Sequence, residues 1–466
     1  MTSRHYSPRS VAIVATELAW ILLTLVGVIT LDLASRHVQL PPHQRAQQVA
    51  IAALLYLVGF YYSDAYNFTG AQLRREVVTV ALRAFSLLAI ILGTLYLSTE
   101  WFDFRSTTML AHLVLTTVFV IVFRTRIDAL LGRFGIVTKI AIVGTGSGAR
   151  RLGEEILRRR ESGHEVSCFV GNPGAAGVME LGKPNPGIVR VPIIPSSTLE
   201  PYARQQRLKR ILVATTDLGD ALPVEELLRC KTEGYEVEDG HTFCERLLGR
   251  IFIADLSPQW LIFSNGFVRP PQARAVKRVI DVLAATGLLV LVGPLCALVA
   301  LAIKLEDGGP VLFRQTRTGR NGMPFELFKF RSMRVDAEAQ SGPKWADSND
   351  SRVTRMGRWI RRLRIDEIPQ AWNVLRGDMS FVGPRPERPE FVAMLRTHIP
   401  YYDQRHAVPP GITGWAQVNF PYGATIDESR QKLEYDLYYL KNFSVLMDAF
   451  IMLRTIKIVF FKWGSR

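Results

Sequence analysis

Apolar residues gather, in the first quarter of this chain, into four runs at roughly 11 to 31, 47 to 62, 77 to 98 and 107 to 123. Each approaches the roughly 20 residues that a helix needs to cross a bilayer, the second and fourth by the smallest margin. This predicts four transmembrane helices over 1–135. The period then changes. KIAIVGTGSGARRLGEEILRRR, from Lys139, reads as a buried strand, a glycine turn and a helix, and EVSCFVG and RILVATTD give two more strands. A Rossmann-like α/β domain with its linker is therefore expected over 136–270. Residues 241–270 read as a strand-rich linker ending at Pro270 and Pro271. A fifth apolar run, VIDVLAATGLLVLVGPLCALVALAI at 279–303, opens a mainly helical domain over 271–466. The fold class is a multi-domain α/β membrane protein.

Charge adds an orientation. The formal net charge is +15, the pI about 9.8 and the mean hydropathy +0.12. A chain both oily and basic fits a membrane protein with a cytoplasmic face, where Lys and Arg accumulate. Nucleic acid is excluded as a partner because no DNA- or RNA-binding motif accompanies the charge. Arg4 and Arg9 precede the first run, Arg74 and Arg75 separate the second from the third, and Arg124, Arg126 and Arg133 follow the fourth. The loop at 99–106 carries Glu100, Asp103 and one arginine, while Arg36 and Arg45 weaken the bias without reversing it. The N-terminus and everything after residue 124 are expected in the cytoplasm, with the first run a retained anchor because no small-residue cleavage site follows it. Cys168, Cys230, Cys244 and Cys296 show neither a CxxC pair nor metal-ligand spacing, and read as reduced, packed thiols.

Gly144, Gly146 and Ala149 fit the GxGxxG/A fingerprint of a dinucleotide-binding unit. The second strand, however, ends in Gly171 and Asn172, where a cofactor-binding version carries an acid for the ribose hydroxyls. The expectation is a nucleotide fold with a structural or regulatory role and no bound cofactor. A nucleotide-sugar dehydratase or epimerase would need Tyr and Lys at YxxxK spacing, which is absent between 150 and 260.

The densest chemistry lies in RRLRIDEIPQAWNVLRGDMSFVGPRPERPEF, residues 361–391. Asp366 and Glu367 sit among arginines, with Pro369 suited to the first turn of a short helix and Gly377 to its C-cap. The carboxylates thus fall at or just before a helix N-terminus. Backbone N–H groups there, with Arg361, Arg364 and Arg385, can hold a pyrophosphate against a nucleophile that would otherwise repel it.

With EDGGPVLFRQTRTGRNGMPFELFKFRSMRVDAE before this motif and PPGITGWAQVNFPYG after it, the region from about 276 to 466 resembles the bacterial sugar transferase family, the monotopic phosphoglycosyl transferases. The four runs and the Rossmann-like domain ahead of it resemble the long form, the undecaprenyl-phosphate hexose-1-phosphate transferases of exopolysaccharide biosynthesis. The PERPEF and FPYGA variants resemble the exosortase-associated branch. The resemblance implies transfer of a sugar 1-phosphate from a UDP-sugar to polyprenyl phosphate with release of UMP. It further implies Asp366 as nucleophile, Glu367 assisting the acceptor step or the metal, and Mg²⁺ at Asp366. Lys329, Arg331, Arg361 and Arg385, with Arg314 added, match positions around the phosphates. Long-form relatives imply a homodimer and a bacterial inner-membrane location. A non-catalytic scaffold would have no use for the intact carboxylates and arginines.

The run at 279–303 is long enough for an ordinary kinked fifth span, which would carry all that follows outside. A cytosolic phosphorylated donor requires the opposite. Gly293 and Pro294 offer a break, since proline removes a helix hydrogen bond, and Lys277, Arg278 and Lys304 would then share one headgroup layer. A re-entrant helix is expected. Many family members carry Ser where this chain has Gly293, which is more permissive of a break. The stretch from Tyr435 reads either as an interfacial helix or as a core helix of the last domain.

Overall fold

The computed structural model describes residues 8–461 except 39–40, 64–73, 99–104, 134–137, 160–162, 173–175, 183–187, 215–221, 254–255, 257, 269, 336, 338–351 and 421–424. Arg4, Glu100 and Asp103, used above for orientation, and most of the FPYGA sequence lie outside these residues, as do the side chains of Arg9, Arg74, Arg75 and Arg133. The chain divides into two compact units, Met1–Leu247 and Leu248–Arg466.

The first unit opens with four apolar helices, α1 (Pro8–Ser35), α2 (Pro42–Tyr62), α3 (Arg74–Ser98) and α4 (Ser106–Arg133). Parts of α1, α3 and α4 are long and apolar enough to cross a membrane, whereas α2, which begins PHQRAQQ, does not reach that apolarity. All four contribute to one buried cluster that includes Leu25, Tyr56, Leu88 and Leu113. Leu23, Leu31 and Ile90 point outward, as lipid-facing side chains do. Polar contacts set α1 antiparallel to α4: Glu17 with Arg124 at 2.6 Å, Thr24 with His112 at 3.0 Å, and Asp32 accepting from Thr108 at 2.8 Å. Buried polar pairs of this kind fix register in an apolar medium.

There follow β1 (Thr138–Val143), α5 (Ser147–Arg158), β2 (His164–Gly171), β3 (Gly177–Gly182), β4 (Ile188–Pro195), α6 (Leu199–Gln206), β5 (Arg210–Val213), α7 (Val224–Thr232), β6 (Glu236–Asp239) and α8 (Gly240–Leu248). The sheet order is β3-β4-β2-β1-β5-β6, parallel except where β3 meets β4. This is the doubly wound arrangement expected from the glycine turn. Gly171 and Asn172 stand at the carboxyl end of β2, with no acid there for a ribose. Titration of the purified protein with NAD is accordingly expected to show no saturable binding; stoichiometric NAD carried through purification would contradict this.

The stretch 241–270 is not strand-rich. Its described residues hold α8 and α9 (Pro258–Phe263) and no strand. Its apolar residues imitate a strand because they are core packers: Phe243 is buried on α8, and Ile251, Ile253 and Leu256 enter the main core of the second unit. There the Ile251 N–H donates to the Glu434 carbonyl at 3.1 Å, and the Trp415 indole donates to the Gly249 carbonyl at 2.7 Å.

The second unit continues with α10 (Pro271–Asp307), the antiparallel ribbon β7 (Leu312–Thr318) and β8 (Pro324–Phe330), α11 (Arg355–Arg362), α12 (Gln370–Arg376), β9 (Ser380–Val382), α13 (Pro389–His398), β10 (Gly411–Thr413), α14 (Trp415–Asn419), α15 (Ile426–Lys441) and α16 (Val445–Phe461). Met447 and Ile451 place α16 in the core, while Leu446, Leu453 and Ile456 are exposed along it. In α10, helical backbone continues through Gly293 and Pro294, so the expected interruption is not a loop. Pro294 still removes one hydrogen bond inside the helix, the usual place for a bend. Both ends of α10 are fastened to the same unit. Lys277 pairs with Asp448 at 2.7 Å near its start, and at its end Asp307 accepts from Arg331 while Glu306 accepts from the Met356 N–H at 3.2 Å. Between them Val290 and Leu291 are 75% and 82% exposed.

Candidate active site

Asp366 and Glu367 lie on a single 3-10 turn, Ile365–Glu367, that leads into α12. Arg364 enters the turn in the left-handed region, with φ of 58°. A side chain there costs about 1 kcal/mol or more, a strain found most often at functional sites. Gly377, with φ of 93°, ends α12 by donating to the Asn373 and Val374 carbonyls. Asn373 is fully buried. Its amide donates to the Glu326 carbonyl at 2.6 Å and accepts from the Phe328 N–H at 3.1 Å, which holds β8 against α12. The next residue of β8, Lys329, thereby reaches Glu367.

Arg385 arrives from a different segment. β9 and β10 run parallel, and the first residue of β10 touches the residue just after β9 backbone to backbone: a Cβ on Gly411 would sit 2.1 Å from the Gly383 nitrogen. No residue larger than glycine fits there. Behind this loop the buried Arg405 donates to the Arg385 carbonyl at 3.1 Å, pairs with Asp436 at 2.8 Å and donates to the Tyr402 hydroxyl at 2.6 Å. Burial pushes the Asp436 carboxyl up to about 6 in spite of Arg405.

The result is two adjacent carboxylates in opposite circumstances. One oxygen of Glu367 faces three cations: Arg385 at 2.8 Å, Lys329 at 3.5 Å and Arg364 at 3.8 Å. Burial alone would raise its pKa, but those cations, Arg385 foremost, hold it well below the usual carboxylate range. Asp366 is 9% exposed, and its buried Oδ1 has no hydrogen-bond partner. Burial, then the charge of Glu367, pushes its carboxyl up; Lys329, Arg364 and Arg361 pull the other way without prevailing. Divergent neighbours of this kind separate the roles of paired acids. Glu367 is fixed and charged. Asp366 has an oxygen free to bond to something brought in.

Arg361 lies near enough to act electrostatically on Asp366, and its Nη1 is buried without a partner. Gln370, the first residue of α12, has a buried Nε2 in the same condition. Burial lowers the pKa of Lys329 ahead of any neighbour's effect. Of the residues expected from sequence, Asp366, Glu367, Lys329, Arg361 and Arg385 are brought together. Arg331 is engaged with Asp307 at the end of α10. Arg314 pairs across the ribbon with Phe328, one residue out of step with Lys329, and so stands on the other face, 5.6 Å above the Phe328 ring. The structure does not bring it to the carboxylates. Residues that sequence reasoning missed are Arg405, Asp436 and Asn373. Asn373, a polar residue inside the apolar AWNVL, was the one with a visible signal.

Among the described residues, no three or more His, Cys, Asp or Glu side chains converge to hold a metal by themselves. The unpartnered Asp366 oxygen nevertheless suits Mg²⁺, which takes one or two carboxylates and draws its other ligands from phosphates and water.

Fold and site together define a membrane-associated α/β protein with a cation-ringed carboxylate pair at the foot of a long apolar helix. A family model described as Bacterial sugar transferase matches residues 272–462. A UDP-N-acetylgalactosamine-undecaprenyl-phosphate N-acetylgalactosaminephosphotransferase of Aeromonas hydrophila is 44% identical over 240 residues, 52% of this chain and 56% of that protein. UDP-glucose:undecaprenyl-phosphate glucose-1-phosphate transferases of Escherichia coli (strain K12) and Caulobacter vibrioides are 44% and 47% identical over 185 and 184 residues. Those stretches are 39% of this chain in each case, and 40% and 68% of the two proteins. The chain belongs to the bacterial sugar transferase family. It spans about half the length, or less, of the first two of these relatives.

Proposed function

We propose that this chain transfers a sugar 1-phosphate from a UDP-sugar to polyprenyl phosphate, the first membrane step of exopolysaccharide assembly, through a phosphosugar bound to Asp366. The observation that carries the reading is the unpartnered, buried Asp366 oxygen beside a Glu367 tied to three cations. A carboxylate oxygen of Asp366 attacks the β-phosphorus of the donor; the bond from that phosphorus to the bridging oxygen breaks and UMP leaves. A phosphate oxygen of the polyprenyl acceptor then attacks the same phosphorus, the bond to Asp366 breaks, and the carboxylate is regenerated as the lipid-linked diphosphosugar departs. Splitting the transfer lets donor and acceptor use one site in turn. Arg385, Lys329 and Arg361 bind and orient the donor phosphates, and Arg385 suits two oxygens at once. Mg²⁺ bound by Asp366 and those phosphates would neutralise their charge. Turnover is expected to vanish with EDTA and return with Mg²⁺, and turnover that persists in EDTA would remove the metal. The reading is tested by UMP release from purified protein in vesicles holding undecaprenyl phosphate, across a panel of UDP-sugars. With one donor, a single equivalent of UMP without acceptor and continuous release once the acceptor is present are expected; none with any donor would defeat it.

The same reading takes α10 as re-entrant, with the catalytic unit on the cytoplasmic face of the inner membrane. Its two ends, fastened at Lys277 and Asp307 to one folded unit, support this. Single cysteines at Ala275 and Pro310, both exposed, in a background lacking the native four, are expected to resist an impermeant thiol reagent in intact cells. Both should react once the inner membrane is opened. Labelling of the Pro310 site alone from outside would mean a true crossing.

A further inference from the structure

The apolar helix α10 carries one polar face, and that face holds both segments of the candidate site. Arg278 donates to the Val374 and Leu375 carbonyls at 2.5 and 2.7 Å, in the last turn of α12. Carbonyls in the last turn of a helix have acceptor capacity to spare, that of Val374 being shared with the capping Gly377 N–H, and a cation is favoured at that end. One helical turn on, the buried Asp281 accepts from the Phe381 N–H at 3.0 Å. Phe381 lies in β9, whose neighbouring Ser380 and Gly383 N–H groups donate to the Pro410 and Thr413 carbonyls, so Asp281 covers the strand's other edge. Ala285, a further turn on and fully buried, closes a small cluster with Leu327, Ala371, Val374 and Met379. Positions 278, 281 and 285 share one helix face. Through them α10 grips α12, which follows Glu367 by three residues, and β9, which precedes Arg385 by three. The rest of the helix bares Val290, Leu291 and Leu298.

We propose that Arg278 and Asp281 are positioning residues through which the depth of α10 in the bilayer sets the spacing between the Asp366 segment and the Arg385 segment. The proposal rests on the reaction proposed above and deepens it by making the lipid bilayer a regulator of that site. A helix whose apolar length mismatches the hydrocarbon tilts, bends or shifts. Here such a movement is passed by rigid, charge-assisted hydrogen bonds to the two halves of a site that works only at one separation.

The full chain is reconstituted with undecaprenyl phosphate in vesicles of phosphatidylcholine with short, medium or long acyl chains, and UMP release is measured in each. Wild type should be fastest at one chain length and slower on either side. Arg278→Met and Asp281→Leu should lower kcat by about a hundredfold, leave the donor KM little changed and lose the chain-length preference. Asp281→Asn keeps an oxygen that can accept from Phe381 and should recover both rate and preference. Hydrogen exchange in wild type provides a readout that needs neither variants nor turnover: the Phe381 amide should exchange faster wherever the chain length is unfavourable. Turnover independent of chain length, Arg278→Met or Asp281→Leu retaining rate and preference, or Phe381 exchange indifferent to chain length would each overturn the proposal. If wild type releases no UMP in any vesicle, the reaction is what fails, and the exchange measurement alone decides the coupling.

Discussion

Asp366→Asn is expected to cut turnover by about three orders of magnitude or more, the scale on which loss of a covalent nucleophile registers. The amide keeps the size of the side chain and removes the charge from an oxygen that has no hydrogen-bond partner to lose. Folding and membrane association should survive, because burial without a compensating partner works against the charged carboxylate and the neutral amide escapes that cost. Measuring UMP release beside a thermal melt of the same preparation separates the two effects. Activity above a few percent of wild type would leave Asp366 without its covalent role. Glu367→Gln should also be severe, for another reason: it releases Arg385, Lys329 and Arg364 from a common anchor.

Arg385→Lys should cost about a hundredfold despite keeping the charge, comparable with losing one oriented donor at a developing anion. The guanidinium at 2.8 Å from Glu367 can present further N–H groups to a phosphate while holding that contact. An ammonium is a point charge on a flexible stem and cannot do both in one fixed geometry. Its backbone is also held, by Arg405 against Asp436, so the side chain starts from a defined place. Near-normal kinetics for Arg385→Lys would reduce Arg385 to a structural partner of Glu367.

How much of this could be read from the chain followed the range of the interactions. The apolar runs, the strand, glycine turn and helix from Lys139, and the proline and glycine bracketing of α12 are local signals, and those elements formed where they were expected. Residues 241–270 were misread because Phe243, Ile251 and Ile253 are apolar for tertiary reasons, and a short apolar stretch does not say what it packs against. In the site, Asp366 and Glu367 were legible as neighbours in a motif. The difference between them was not, since it arises from Lys329 on β8 and Arg385 beyond β9 converging on one oxygen of one carboxylate. Arg314 and Lys329 look equivalent in sequence; strand register puts them on opposite faces of the ribbon. The roles of Arg405 and Asp436, 31 residues apart, exist only in the folded chain.

The most direct test of the covalent claim is to mix purified protein with its UDP-sugar donor in the absence of polyprenyl phosphate and weigh the intact chain. The account predicts a mass increase equal to one sugar phosphate, mapped by proteolysis to the peptide containing Asp366, released on adding polyprenyl phosphate and absent from Asp366→Asn. An unmodified chain under conditions where acceptor-dependent turnover is rapid, or an adduct on any other residue, would contradict it.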